Sequence, residues 1–181
     1  MQYRKLTILK DGRECLLRNA NGSDGRAVLD IFILTHEQTD FLLSYPDECS
    51  MTPEDEARYL QQKTESPDGI EILAEVDGRA VGLAGIEAIG DKYKVRHRAD
   101  FGISIDKEYW GLGIGKALLD ACIECAAKAG YEQLELNAAA ENDRAVGLYK
   151  KAGFVEYGRN PKGFRSRLSG YQEVVYMRLE L

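Results

Sequence analysis

Three alternating glycines, Gly111, Gly113 and Gly115, lie between a strand-like run at residues 100–105 and an amphipathic helical pattern. Glycine lets the backbone approach a bound group closely, and the first N–H groups of a helix have no partner within the helix. Such N–H groups, together with the helix dipole, bind anions. This loop is therefore predicted to bind a phosphate or a pyrophosphate.

This loop differs from two common phosphate-binding motifs. A P-loop requires a glycine five residues before its Gly-Lys pair and Ser or Thr after it. Trp110 and Ala117 occupy these places, which excludes a nucleotide triphosphatase. A dinucleotide fingerprint requires Gly or Ala at position 116. Lys116 stands there instead, although a carboxylate on the next strand, Glu135, keeps a dinucleotide-binding protein open as an alternative.

The composition is that of a soluble globular protein. The 181 residues are 44% apolar and 30% charged, and they suit one compact domain over residues 1–181. A net charge of −6 argues against nucleic acid as a partner. The polar start and the lack of a long apolar run predict neither a signal peptide nor a membrane span. We therefore expect a cytoplasmic protein with no membrane partner.

The four cysteines are too few and too scattered for a disulfide framework. Cys122 and Cys125 lie on the apolar stripe of a predicted helix, and no second pair of Cys or His is spaced to complete a zinc site. Buried structural thiols are the favoured interpretation, a metal or redox role is the alternative, and no metal is expected.

Hydrophobic periodicity and turn residues predict alternating strands and helices. Their order, β-α-α-β-β-β-α-β-α-β-β, predicts a mixed α/β (α+β) sheet covered by helices. The strands are expected at residues 14–18, 70–76, 79–89, 92–105, 132–137, 154–158 and 170–181, and the helices end near residues 37, 66, 130 and 151.

This element order, with the glycine loop after the fourth predicted strand, resembles the GNAT superfamily of N-acetyltransferases over nearly the whole chain. Residues 110–115 match the signature Gln/Arg-x-x-Gly-x-Gly/Ala except at Trp110. Residues 142–154, from Asn142 through Ala145 and Tyr149 to Gly-Phe, are similar to the N-x-x-A-x-x-L/F-Y-x-x-x-G-F segment of these enzymes. The resemblance implies a GNAT-like, mostly antiparallel twisted sheet of about seven strands with four helices.

The resemblance also implies acetyl-CoA as co-substrate. Its pyrophosphate would contact the N–H groups of residues 111–116, and its pantetheine arm would lie between residues 99–105 and 132–137. The N–H of Ile103 would then polarise the acetyl carbonyl. The positions expected to bind the cofactor are Ile103, Ser104, Ile105, Gly111, Leu112, Gly113, Ile114, Gly115, Lys116, Ala117, Asn137, Asn142, Ala145, Tyr149 and Lys151.

Acetyl transfer to an amine requires two proton transfers. The departing thiolate benefits from a proton donor, and by analogy with the family Tyr149 takes this role. The ammonium of the acceptor must first lose a proton, and three alternatives stay open for the base. These are Asp100, on the strand before the loop; Glu87, in the otherwise apolar run 80–89; and a water chain without a single base.

We therefore expect an acetyl-CoA-dependent N-acetyltransferase (an acyltransferase) that acts on a primary amine of a small molecule or a peptide by direct attack in a ternary complex. A non-catalytic acyl-CoA sensor and, less favoured, a dinucleotide-dependent oxidoreductase remain alternatives. Acidic residues at 37–56 are consistent with a cationic acceptor such as a polyamine, but first-turn helix acids are the simpler interpretation. Pairing of the C-terminal strands leaves a homodimer open.

Overall fold

A computed structural model describes all 181 residues, and its eight strands form one continuous sheet. The strand order is β1-β2-β3-β4-β5-β6-β8-β7, and every neighbouring pair is antiparallel except β5 and β6. The elements are β1 (Arg4–Ile8), β2 (Glu14–Asn19), α1 (Gly25–Glu37), α2 (Pro53–Glu65), β3 (Ile70–Val76), β4 (Arg79–Ala88), β5 (Arg98–Ile105), α3 (Ile114–Ala129), β6 (Gln133–Ala139), α4 (Asp143–Lys151), β7 (Val155–Ser166) and β8 (Gly170–Glu180).

Helix α3 packs on β2 to β5 and covers the larger apolar core, whereas α1 and α2 pack on each other beside a smaller cluster. The core face of α3 follows the predicted helical spacing: Leu118, Ala121, Cys122 and Cys125 are all at most 1% exposed. Gly130 ends the helix in the left-handed region, with φ of 83°. All three thiols of the core, including that of Cys15, are free and buried.

The fold confirms the expected mixed, mostly antiparallel sheet with four helices, but it has eight strands where about seven were expected. The additional strand is β1, which pairs with β2 from Arg4↔Arg18 to Ile8↔Glu14. Its residues are mostly exposed, including Leu6 at 55% and Ile8 at 63%, so no buried apolar face marks this strand. The first predicted strand is therefore the second in the chain.

The predicted strand at 92–105 is too long, because β5 begins only at Arg98. Residues 92–97 form turns in which the N–H groups of Val95 and Arg96 both donate to the carbonyl of Lys92 at 2.9 Å. Conversely, β7 extends well beyond residue 158, to Ser166, through an irregularity in its pairing with β8 between Asn160 and Phe164. No helix has the length and apolarity needed to cross a bilayer.

Candidate active site

The parallel strands β5 and β6 pair over only three residues and then diverge. Their ladder runs from Arg98↔Gln133 to Asp100↔Glu135, although β5 continues to Ile105 and β6 to Ala139. Beyond Asp100 the two strands therefore enclose a wedge in which neither is the other's hydrogen-bonding partner. The wedge opens toward the glycine loop at the carboxyl end of β5.

The pairing of the outer edges shows which backbone groups of β5 and β6 face this wedge. Backbone hydrogen bonds join the β4 side to Arg98 (3.1 Å) and to Asp106 (3.0 Å). The backbone groups of even-numbered residues of β5 therefore face β4, and those of odd-numbered residues, including Ile103, face β6. The backbone N–H of Ala140 donates to a carbonyl on the β8 side at 2.8 Å, so the backbone groups of even-numbered residues of β6 face β8. The backbone groups of odd-numbered residues, including Asn137, therefore face β5. The backbone groups of Ile103 and Asn137 are thus directed into the wedge.

The glycine loop connects β5 to α3, and two of its residues have backbone conformations in the left-handed region. Gly111 has φ of 85° and Gly113 has φ of 104°, conformations that other residues rarely adopt. No side chain caps the helix, and Ala117 is the first residue of this segment whose N–H donates within it, to the carbonyl of Gly113 at 3.1 Å. The N–H groups of residues 113–116 donate to no backbone acceptor, which leaves them directed at the end of the wedge.

Trp110, the departure from the expected signature, has a structural role beside the loop. Its indole Nε1 donates to the carbonyl of Ile105 at 2.8 Å, and the guanidinium of Arg144 lies 4.9 Å from its ring. The side chain thereby fixes the end of β5 to the start of α4. It leaves the N–H groups of the glycine loop free, so the change from Gln or Arg does not remove the anion-binding geometry.

One cavity of about 770 Å³ connects the glycine loop, the wedge and the face of α1. Thirteen of the sequence-predicted site residues line it. They are Asp100, Ile103, Ser104, Ile105, Gly111, Gly113, Gly115, Lys116, Asn137, Asn142, Ala145, Tyr149 and Lys151.

Four predicted residues lie outside the lining of the cavity. Ile114 is buried in the core, and Leu112 and Ala117 pack against it, so these three would offer a ligand only their backbone groups. Glu87 does not line the cavity: its side chain is 69% exposed, and one oxygen lies 3.1 Å from Nζ of Lys63. The structure therefore brings together the loop, the wedge, Tyr149 and Asp100, but not Glu87.

Tyr149 lies on α4 with its ring packed in the core and its edge at the cavity. The residue is 5% exposed, and its ring contacts Phe101 edge-on at a centroid distance of 6.1 Å and Phe154 at 5.9 Å. Burial raises the pKa of Tyr149 above its usual value. The phenol is therefore neutral and able to donate a proton throughout the physiological pH range.

Asp100 is the acidic group on the cavity face of β5. The residue is exposed and water reaches its carboxylate from the cavity, although the surrounding protein displaces part of the water around the group. This partial desolvation, together with the negative charges of Glu135 and Glu87, raises the pKa of Asp100 to about 6. Both carboxylates are its direct strand neighbours, at the pairs Glu87↔Asp100 and Asp100↔Glu135. Asp100 thus has the pKa of a base for neutral solution.

Glu135 is held in its ionised form by partners that do not line the cavity. Arg98 contacts both of its oxygens, one of them at 2.7 Å, and the hydroxyl of Tyr157 donates to it at 3.2 Å. The Arg98 guanidinium is the main reason that the pKa of Glu135 is lowered. The fixed negative charge beside Asp100 therefore persists at neutral pH.

No pattern in the sequence marks the wall of the cavity opposite the glycine loop. This wall consists of the loop after α1, with Phe41, Leu42 and Leu43, and of Phe164 on β7. Asp40 joins the two segments, because it accepts hydrogen bonds from Ser166 Oγ at 2.6 Å and from Tyr45 at 3.0 Å.

Most of the acidic residues that follow α1 likewise form hydrogen bonds or ion pairs within the chain. Arg167 binds Asp47 at 2.8 Å, and Glu48 and Asp55 accept hydrogen bonds from the backbone N–H of Tyr45 and of Thr52 in capping boxes. These acids are engaged within the chain. No group of three His, Cys, Asp or Glu residues is arranged to hold a metal ion.

The geometry is that of an acetyltransferase fold, and comparison with known proteins agrees. The sequence profile of the Acetyltransferase (GNAT) family matches residues 33–154. The solved structure of a GNAT-family acetyltransferase from Streptococcus pneumoniae superposes with a TM-score of 0.88 at 30% identity and covers 92% of this chain and 99% of that one. A putative acetyltransferase, yncA of Salmonella typhimurium, solved with its cofactor acetyl-CoA, shares the fold (TM-score 0.80, 17% identity, 92% of this chain and 94% of that one).

Among curated proteins, the L-amino acid N-acetyltransferase AaaT of Escherichia coli is 27% identical over 165 residues, which are 91% of this chain and 96% of that protein. The chain also matches a mycothiol acetyltransferase of Propionibacterium freudenreichii (29% identity over 61% of this chain), but it spans only 35% of that relative's length. This chain therefore belongs to the GNAT family of acetyl-CoA-dependent N-acetyltransferases.

Proposed function

We propose that this protein transfers the acetyl group of acetyl-CoA to a primary amine, on a small molecule or a peptide, by direct attack in a ternary complex. One observation carries the proposal: a single cavity joins unpaired N–H groups at a helix start, a wedge of unpaired strand backbone, a neutral phenol and a carboxylate of raised pKa. Residues 1–181 act as one domain in this proposal.

The chain fits acetyl-CoA by its own unpaired groups. The N–H groups of residues 113–116 match a pyrophosphate, because a helix start binds anions without a charged side chain. The backbone of Ile103 and Asn137 offers hydrogen-bonding partners to an extended amide chain lying in the wedge, as an added strand would. When bound, acetyl-CoA supplies the thioester carbonyl that the amine attacks.

The catalytic roles follow from protonation state and position. Asp100, ionised above pH 6, accepts the proton that the acceptor ammonium must lose. The N–H of Ile103 donates to the carbonyl oxygen as negative charge develops there. Tyr149 donates its proton toward the departing sulfur, so that CoA leaves as the thiol, and the second proton lost by the attacking nitrogen restores the phenol; the place of Tyr149 at the cavity edge of α4 suits this step. No cysteine or serine is needed, since the amine itself is the nucleophile.

Two other functions make different predictions. A sensor that binds acyl-CoA without turnover does not require a carboxylate of raised pKa beside the wedge. A dinucleotide-binding enzyme requires Gly or Ala at the position of Lys116. The test combines two measurements. Thermal shift compares acetyl-CoA with NAD and NADP, and a thiol-release assay follows CoA formation with polyamines, amino acids, apolar amines, aminoglycosides and N-terminal peptides.

We expect acetyl-CoA alone to raise the melting temperature and at least one amine class to release CoA. Binding without release for every class would support the sensor, and stabilisation by NAD or NADP alone would support the oxidoreductase.

A further inference from the structure

The two ends of the cavity differ in charge. All four cationic side chains of its lining, Lys10, Lys116, Arg144 and Lys151, come from segments at the glycine loop and α4. Lys10 is tied to this end because its backbone N–H donates to the carbonyl of Leu112 at 3.1 Å. Positive charge is therefore concentrated where the phosphates of the co-substrate are expected.

The opposite end is apolar and carries one charge. Its wall is formed by Phe41, Leu42, Leu43 and Phe164, and the only ionisable group of the lining there is Asp100. The hydroxyl of Thr35, which also lines this end, already donates within α1, 2.9 Å from the carbonyl of Ile31 and 3.0 Å from that of Phe32. This end thus offers an acceptor apolar surface and a carboxylate.

The cations near this end are already paired with acids of the chain. Arg98 binds Glu135, Lys63 lies 3.1 Å from Glu87, and Arg167 lies 2.8 Å from Asp47. The three pairs engage a guanidinium or ammonium group that would otherwise be available to a carboxylate entering the cavity.

Two further groups near this end also fail to supply a positive charge. Arg165 follows Phe164 on β7, so its side chain leaves the opposite face, and it stacks 6.0 Å from the ring of Tyr171. Burial lowers the pKa of His36, which favours its neutral form. The carboxylate of an acceptor bound here would therefore meet Asp100 without a compensating cation.

Building on the proposed function, we propose that the acceptor is an amine on an apolar or aromatic body that carries no carboxylate. Its ammonium pairs with Asp100, and its body packs between the loop after α1 and Phe164. A free amino acid brings a negative charge that the acceptor end leaves unpaired beside another carboxylate, which costs binding. This specificity differs from what the name of the E. coli relative states for that protein.

A series of three acceptors tests the charge without changing the ring. 2-Phenylethylamine, L-phenylalaninamide and L-phenylalanine share the amine and the benzyl group, and only the last carries a carboxylate. We expect kcat/KM for the first two to exceed that for L-phenylalanine by at least about tenfold, because no cation offsets the repulsion between its carboxylate and Asp100. Spermidine, which carries several cations and no apolar body, is expected to be a poorer acceptor than 2-phenylethylamine.

A pair of charge-introducing variants checks the location. Phe164→Arg places a cation on the acceptor wall, and it should improve L-phenylalanine relative to 2-phenylethylamine. Leu168→Arg adds the same charge to the same β7–β8 hairpin, but Leu168 is 82% exposed and outside the cavity lining, so it should leave that ratio unchanged. Because both acceptors are measured on each variant, a general loss of activity cancels in the ratio.

The outcomes separate this inference from the proposed function. CoA release with L-phenylalanine within about threefold of the amide, or a preference for spermidine, overturns the inference and leaves acetyl transfer to amines intact. A ratio that changes equally in both arginine variants overturns the location of the acceptor. The absence of CoA release with any amine class, in protein that still binds acetyl-CoA, contradicts the proposed function itself.

Discussion

At the scale of single residues, Tyr149 combines a structural and a chemical feature in one side chain. Its ring is part of the core, but its hydroxyl makes no hydrogen bond within the chain, so the oxygen is dispensable for folding. Tyr149→Phe should therefore leave the melting temperature and the affinity for acetyl-CoA nearly unchanged. It should lower kcat about 100-fold, a typical contribution of general acid catalysis.

The matched control is Tyr131→Phe, which removes a hydroxyl that likewise has no partner but is buried outside the cavity. Steady-state kinetics and thermal denaturation on both variants give the comparison. Equal activities of Tyr149→Phe and wild type would remove Tyr149 from the reaction.

Asp100 gives the reaction its expected pH dependence. Because its pKa is about 6 and the base must be ionised, activity should fall about tenfold per pH unit below pH 6 and level off above it. Asp100→Asn should lower the plateau and abolish this acidic limb. A pH profile of kcat for the two proteins measures both effects, and an acidic limb that persists in the variant would indicate another base.

The raised pKa of Asp100 also makes the stability of the folded protein depend on pH. The folded protein holds the proton of Asp100 more tightly than the unfolded chain does, since the pKa rises from 3.8 to about 6. The favourable contribution of this group is therefore complete below about pH 4 and is lost as the pH rises through 6. Asp100→Asn should consequently melt at a higher temperature than wild type at pH 8 but not at pH 4.

At the scale of elements, the approach of α1 to α2 depends on a glycine. A Cβ added at Gly25 would lie 2.4 Å from the carbonyl oxygen of Pro53 and 2.7 Å from the backbone nitrogen of Ala57, so the helices would have to separate. Gly25→Ala should therefore destabilise the protein by about 1–3 kcal/mol, as overpacking of a tight contact does.

Gly147→Ala is the control for this change, because no heavy atom lies within 4 Å of the added carbon in the interior of α4. There the alanine should stabilise by about 0.5–1 kcal/mol through its helix propensity. Urea denaturation of both variants tests the sign of each effect. Equal shifts would show that the α1–α2 contact yields without cost.

The wall of the acceptor end depends on Asp40, which accepts from Ser166, Ser169, Tyr45 and Gln172 across two segments. Asp40→Ala should free the loop after α1 and raise KM for the acceptor several-fold while KM for acetyl-CoA stays unchanged. Asp30→Ala, which removes an exposed acid of α1 paired with Arg26, should change neither constant. A parallel rise of both KM values in Asp40→Ala would contradict a role limited to the acceptor end.

Local sequence patterns specify some elements of this fold and not others. The helices were predictable because capping and periodicity are local: Pro53 starts α2, and Gly130 ends α3. The edge strand β1 was not, since it has almost no buried face and exists through its pairing with β2. Alternating charges at 92–97 imitate a strand but form turns through bonds between near neighbours.

Some residues of the candidate site could likewise be predicted from the sequence, and others could not. The glycine loop and Tyr149 could be found from spacing and family resemblance, and both line the cavity. The acceptor wall could not, because Phe41 and Phe164 lie more than 100 residues apart in the chain and are brought together by long-range pairs such as those of Asp40 and Arg167. The sequence also could not tell that Asp100 lines the cavity whereas Glu87 pairs with Lys63, because this depends on where the cavity and Lys63 lie in the folded chain.

At the scale of the whole molecule, the sheet is held open where two of its strands stop pairing, and ligand binding should close that gap. If an extended amide chain enters the wedge as an added strand, the N–H groups of Ile103 and Asn137 gain shielding that the free protein lacks. Acetyl-CoA at 100 times its Kd should stabilise the protein by about 2.7 kcal/mol.

Hydrogen exchange locates that stabilisation. Acetyl-CoA should slow exchange at β5 beyond Asp100, at β6 near Asn137 and at residues 113–116, where the helix start is unpaired. The edge strand β1 serves as the internal reference, because it lies at the far side of the sheet and should not change. Protection spread equally over all strands would indicate only global stabilisation, and protection that omits β5 and β6 would show that the wedge is not where the thioester binds.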